Sequence, residues 1–194
     1  MSEISFILPT FNRKEYVFRA IESCLALEKK NILPHIIVID GYSNDGAWEL
    51  LKSKYTNHNR ITLIQYPKKG FQRTAFYGVS LVKTKYATFM YNDDILSPYF
   101  ADYFEKMLSF KKDYFMGYGF NFPINDIYHF KKINLKLMSK NKILKTYFGS
   151  NQDLKYYSMP VSPIASIMTT KFLKEWVVFT NDFAEKTSLR KNFM

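Results

Sequence analysis

Cysteine is almost absent from this chain. The single Cys24 among 194 residues excludes an internal disulfide and any metal site built from cysteines. It falls inside an apolar helical pattern and reads as a core residue. No apolar run reaches the roughly 20 residues of a membrane span, and Met1-Ser2-Glu3 is not the basic start of a signal peptide. The chain therefore reads as soluble and cytoplasmic. No Gly-x-Gly-x-x-Gly follows the first apolar run, which argues against a dinucleotide-binding oxidoreductase. Zinc spacing and an RNP-type signature are also missing, which makes a nucleic-acid-binding module a poor fit. Internal repeats, low-complexity tracts and linkers are absent too.

Acidic residues are scarce as well. Asp and Glu total 17 against 28 Lys and Arg, a net charge of +11. That balance suits an anionic partner: nucleic acid, a phosphorylated small molecule or an acidic membrane surface. The shortage is deepest from Ile127 to Gln152, where no carboxylate occurs among Lys131, Lys132, Lys136, Lys140, Lys142 and Lys145. Apolar residues are interleaved with these lysines. The segment reads either as a solvated lysine-rich cover of the core or as a basic amphipathic stretch making peripheral contact with the anionic inner face of a membrane.

What the chain does contain points to a folded α/β protein. Hydrophobic content of 47% and aromatic content of 18% are well above what disordered chains carry, and the length suits one domain spanning 1–194. Apolar strand-like runs at Ile4–Leu8, Ile36–Ile39, Ile61–Gln65 and Lys85–Tyr91 alternate with helical patterns at 16–27, 47–55, 71–82 and 98–110. This rhythm predicts βαβ units and a mainly parallel, Rossmann-like sheet flanked by helices. Thr10 or Asn12 is expected to cap the first helix, and Ser97 with Pro98 to open the one after the fourth strand. Further on, Tyr114–Tyr118, Ile124–His129 and Ala165–Thr169 are candidate strands, with a helix at Lys171–Phe179.

Three loops that follow predicted strands carry polar residues. Pro9-Thr10-Phe11-Asn12-Arg13 offers a rigid turn and free amides to a base or phosphate. Asp40 to Gly46 offers carboxylates to a base N–H or to ribose hydroxyls. Asn92-Asp93-Asp94 places two adjacent acids at the expected carboxyl edge of the sheet, where ligands bind in open α/β folds. Two such carboxylates repel unless a cation or proton separates them, and a hard divalent metal completed by substrate phosphates would separate them. Each loop also has an ordinary reading: Pro9 ending a strand, Ser43 and Asp45 capping a helix, the Asp pair forming a turn.

Taken in order, these loops resemble those of the nucleotide-sugar-dependent glycosyltransferases of family 2, which have the GT-A fold. The family's first strand ends in Pro-Thr-(Phe/Tyr)-Asn-Arg, matched by Pro9 to Arg13. Its second runs into Asp-(Asp/Gly)-Gly-Ser-x-Asp-Gly, matched by Asp40-Gly41-Tyr42-Ser43-Asn44-Asp45-Gly46. A Gly-containing helix before the fourth strand is matched by Gly70 and Gly78. The metal-binding Asp-x-Asp element is matched by Tyr91-Asn92-Asp93-Asp94, with Pro98 four residues on. The likeness is specific over residues 3–110, the nucleotide-sugar half, and looser over 111–194, the acceptor half.

The resemblance implies an inverting, metal-assisted transfer from a nucleoside-diphosphate sugar to a sugar or lipid-linked acceptor, in surface polysaccharide or glycolipid synthesis. Donor contacts are then expected from Pro9, Thr10, Asn12, Arg13, Asp40, Gly70, Arg73, Asn92 and Asp93, and Mn²⁺ or Mg²⁺ binding from Asp93 and Asp94. Tyr91 replaces the first acid of the metal element, Gly41 stands where many relatives carry an acid that reads uracil, and Arg73 stands where an acid is frequent. The general base is expected from Asp182, with Asp153 second, or from beyond Met194 in a chain truncated at its C-terminus. A catalytically silent nucleotide-binding domain is the competing expectation.

Overall fold

The computed structural model describes residues 1–67, 70–110, 114–116, 166–175 and 177–178. Strand β1 (Ser2–Thr10) leads to helix α1 (Lys14–Leu25), a 3-10 turn (Ala26–Lys30) and β2 (Ile32–Asp40). Helix α2 (Ala47–Tyr55), β3 (Ile61–Gln65), α3 (Phe71–Ser80), β4 (Tyr86–Phe89) and α4 (Phe100–Ser109) follow. The short strands β5 (Tyr114–Met116) and β6 (Ser166–Thr169) come last, with 170–175 helical.

The sheet order is β3-β2-β1-β4-β6-β5. Pairings β1·β2, β2·β3 and β1·β4 are parallel, while β6 runs antiparallel between β4 and β5. The mainly parallel α/β sheet expected from the sequence is therefore present. The predicted strand at 124–129 lies outside the described residues.

Two cores form because successive strand residues point to opposite faces. Ile4, Phe6, Leu8, Ile36 and Val38 pack with Val17, Ile21, Leu51, Phe104 and Met107 from α1, α2 and α4. Ile7, Ile37 and Ile39 pack on the other face with Ala75 and Val79 of α3. The strand order explains the split. The chain moves outward from β1 to β3 with its helices on one face, then returns to β4 on the far side of β1. Right-handed crossovers require the helix of that return to lie on the opposite face. Gly78 permits the close seating of α3, since a Cβ there would come within 2.5 Å of Ile7 Cγ2 and 2.7 Å of Ile39 Cδ1.

Three local expectations are corrected. The N-cap of α1 is Arg13, not Thr10 or Asn12, and it makes no side-chain cap bond. Helix α4 begins at Phe100, not at Pro98. Ser97 instead closes a tight turn, accepting the Tyr99 N–H on Oγ (3.3 Å) and the Phe100 N–H on its carbonyl (2.9 Å). Pro9 does not end its strand either: it is buried in β1 opposite Ile39. Its nitrogen, which carries no proton, faces β4 at the point where the β1·β4 pairing ends, at Phe89.

Candidate functional site

The strand order reverses between β1 and β4, and the crevice at such a switch point is where ligands enter an open α/β sheet. The loops after β1, β2 and β4 all open on this edge.

The first two loops are bound to each other. The Asn12 N–H donates to Ser43 Oγ at 2.9 Å, and the Asn44 N–H donates to Asn12 Oδ1 at 2.9 Å. Asn12 takes a positive φ of 50° to make both bonds, which Asn tolerates well. Asp45 links the starts of two helices: Oδ2 accepts the Lys14 N–H (2.8 Å) and Oδ1 the Ala47 N–H (3.0 Å). Partial desolvation pushes the Asp45 carboxyl upward. The backbone donors of Lys14 and Ala47 outweigh it, and the group titrates below the ordinary Asp range.

Asp40 sits beneath this clasp and is fully buried. Its Oδ1 accepts the Ser43 hydroxyl at 2.5 Å, and its Oδ2 accepts the Ser43 N–H at 3.0 Å and Gln65 Nε2 at 3.1 Å. Within the described residues this carboxylate organises the loop. Thr10 is buried beside it, and the Thr10 carbonyl accepts the Gly41 N–H at 2.9 Å.

The third loop joins the same edge through Asn92. Its Nδ2 donates to the Pro9 carbonyl at 3.3 Å and to Thr10 Oγ1 at 3.2 Å. Asp93, exposed, and Asp94, half-buried, follow directly. Burial and then the neighbouring Asp93 charge raise the Asp94 carboxyl above its usual range. Adjacent carboxylates offering only oxygen donors fit a hard divalent cation, which takes one or two carboxylates and completes its shell with substrate phosphates. No cluster of three or more His, Cys, Asp or Glu occurs among the described residues, so phosphate or water would have to supply the remaining ligands.

Gly70 caps α3 with φ 110°, and Arg73 is exposed on the first turn of that helix. Phe71 reaches the ring of Tyr91 at 5.3 Å between centroids, which ties the start of α3 to the third loop. Arg13 is exposed beside the clasp. A cavity of about 270 Å³ there is lined by Asn12, Arg13, Lys14, Glu15, Tyr16 and Asp45, and not by Asp40, Asp93 or Asp94. The candidate bases Asp153 and Asp182, and the basic segment 127–152, lie outside the described residues. No helix among the described residues is long and apolar enough to cross a membrane.

Two contributions to the site escaped sequence reasoning. Ser43 and Asp45 were legible as local caps but not as partners of Asn12 and Lys14, both 31 residues away. Gln65 gave no sign that it would reach Asp40. Only the order of the strands, which puts the ends of β1 to β3 side by side, could have suggested these pairings.

The chain is similar to several known proteins. Glycosyltransferase GlyA of Streptococcus pneumoniae is 27% identical over 122 residues, covering 61% of this chain and 17% of that protein. The poly(ribitol-phosphate) beta-N-acetylglucosaminyltransferase TarP of Staphylococcus aureus is 31% identical over 97 residues, half of this chain and 30% of its own length. The chain thus spans less than a third of either. The crystal structure of S. aureus TarS 1–349 in complex with UDP-GlcNAc superposes with a TM-score of 0.63 at 18% identity, over 90% of this chain and 47% of that one. That likeness speaks for the fold. The family model described as glycosyl transferase family 2 matches residues 5–170, and the chain belongs to that family.

Proposed function

We propose that this chain transfers a sugar, with inversion, from a nucleoside-diphosphate sugar to an acceptor hydroxyl in surface polysaccharide or glycolipid synthesis. The observation that carries this reading is the Asn92 contact to Pro9 and Thr10. It brings the Asp93-Asp94 pair to the sheet edge occupied by the first two loops. The TarS complex with UDP-GlcNAc and the N-acetylglucosaminyltransferase TarP lend support from within the fold and the family.

In this reading the clasped loops hold the nucleoside, with Thr10, Asn12 and Arg13 along one wall and Asp40 fixing the turn beneath. Gly70 and Arg73 line the approach from α3, where the arginine suits a diphosphate. Asp93 and Asp94 would hold Mn²⁺ or Mg²⁺, which when bound offsets the charge that builds on the departing nucleoside diphosphate. Proton removal from the acceptor hydroxyl needs a carboxylate within hydrogen-bond reach, a role assigned here to Asp182 or Asp153. The lysines of 127–152 would bring the chain to an anionic lipid surface or a lipid-linked acceptor.

Calorimetry with a panel of nucleotide sugars and Mn²⁺ tests the proposal. Wild type should bind at least one donor in a metal-dependent way, and Asp94→Ala should lose that dependence while remaining folded. Unchanged metal-dependent affinity in Asp94→Ala would remove the assignment. Donor binding with neither transfer nor hydrolysis would leave a silent nucleotide-binding domain.

A further inference from the structure

Tyr42 adopts φ +63°, a left-handed conformation that disfavours bulky side chains. Glycine would occupy it freely. The surroundings leave residue 42 no alternative. On one side, the Gly41 N–H is bonded to the Thr10 carbonyl at 2.9 Å. On the other, Ser43 is held by Asp40 through both its N–H and its hydroxyl and accepts the Asn12 N–H. Strain of this kind persists only where neighbours over-determine it, and it concentrates at ligand sites.

The ring gains nothing within the fold. Tyr42 is 55% exposed and makes no hydrogen bond or ring contact among the described residues. Phe11, on the adjoining loop, is 52% exposed and lies against Gly41, whose Cβ position is 3.4 Å from Phe11 Cδ2. Two exposed aromatic residues thus stand on neighbouring loops at the β1 and β2 ends of the crevice. Asp40, the carboxylate nearest them in the chain, is already committed to three donors inside the protein. It has little capacity left for reading a base by hydrogen bonds.

We infer that Tyr42 is a ligand-contacting residue whose ring stacks on the nucleobase of the donor, and that it is kept at a strained position for that contact. The inference rests on the donor reading proposed above. Neighbouring strands lie about 4.8 Å apart, so the end of β2 stands roughly 10 Å from the end of β4, two strands away. That separation suits a nucleoside whose diphosphate lies at Asp93 and Asp94. Stacking on aromatic rings also tolerates different bases.

The test sets stability against binding in the 194-residue chain. Affinity for UDP, CDP and GDP in Mn²⁺ is measured by calorimetry, and melting temperature is measured without nucleotide, for wild type, Tyr42→Gly and Tyr42→Phe. Tyr42→Gly should bind about tenfold more weakly or worse while melting no lower than wild type, because glycine relieves the strain. Tyr42→Phe keeps the ring and should bind within about threefold of wild type. Undiminished binding by Tyr42→Gly overturns the inference. So does a fall in its melting temperature alongside its affinity, since the ring would then be serving the fold. If wild type binds none of the three nucleotides, the donor reading itself fails and takes this inference with it.

Discussion

The loops after β1 and β2 and the loop after β4 share one sheet edge, yet they are held in different ways. On the first side every carboxylate is satisfied by protein donors: Asp40 by Ser43 and Gln65, Asp45 by Lys14 and Ala47. On the second, Asn92 anchors the loop, but Asp94 lies beside Asp93 with its ionisation disfavoured. The first side is organised before any ligand arrives. The second keeps an electrostatic tension that an added cation or a proton would relieve.

Breaking the first side should be the costlier change. Asp40→Ala leaves the Ser43 N–H and the Gln65 amide without their buried acceptor, at about 2–4 kcal/mol. For a chain of this size that is roughly 4–16 °C in melting temperature, read by thermal denaturation; a shift under about 2 °C would mean the buried carboxylate does not organise the loop.

Asp45→Asn should cost less, about 1 kcal/mol. An amide can accept only one of the two helix N–H groups and turns its own donors toward the other. This effect carries a pH signature. The folded carboxyl titrates below its unfolded value, so its contribution is complete above the unfolded pKa of about 3.9 and disappears as pH falls through the lower folded value. The stability gap between wild type and Asp45→Asn should therefore be constant near neutrality and close in acid below about pH 4. A gap that persists unchanged at low pH would assign the loss to packing instead of charge.

The smallest effect belongs to the other side. Asp94→Asn removes a charge that its surroundings disfavour, so without metal its melting temperature should match or slightly exceed that of wild type. A clear drop would show that the Asp pair is already satisfied inside the protein, and the contrast between the two sides would vanish.

The same contrast marks how much could be read from the chain beforehand. Helix α2 and strand β3 match their expected ranges, and β1, β2 and β4 their expected places, because a sheet buried on both faces leaves unbroken apolar runs. The place of Asp93 and Asp94 at the sheet edge was legible because they directly end such an apolar run. The clasp was not. Its bonds join residues 31 and 32 apart, and nothing local distinguishes an Asn that caps its own helix from one that reaches across to another loop. Ser97-Pro98 misled for a related reason: the serine does bond forward, but to close the turn that leads into α4 at Phe100.

Pro9 has a further consequence for the crevice. In a parallel pair the bonds alternate along the strand, and the last rung from β4 runs from the Met90 N–H to the Ile7 carbonyl at 2.9 Å. The following rung would need a proton on the nitrogen of residue 9, and an imino acid has none. The two strands cannot zip any further, and the Asn92 side chain takes the Pro9 carbonyl that a backbone amide would otherwise have claimed. One ring closed on its own backbone thus acts as a doorstop, holding the sheet ajar where the acidic pair stands.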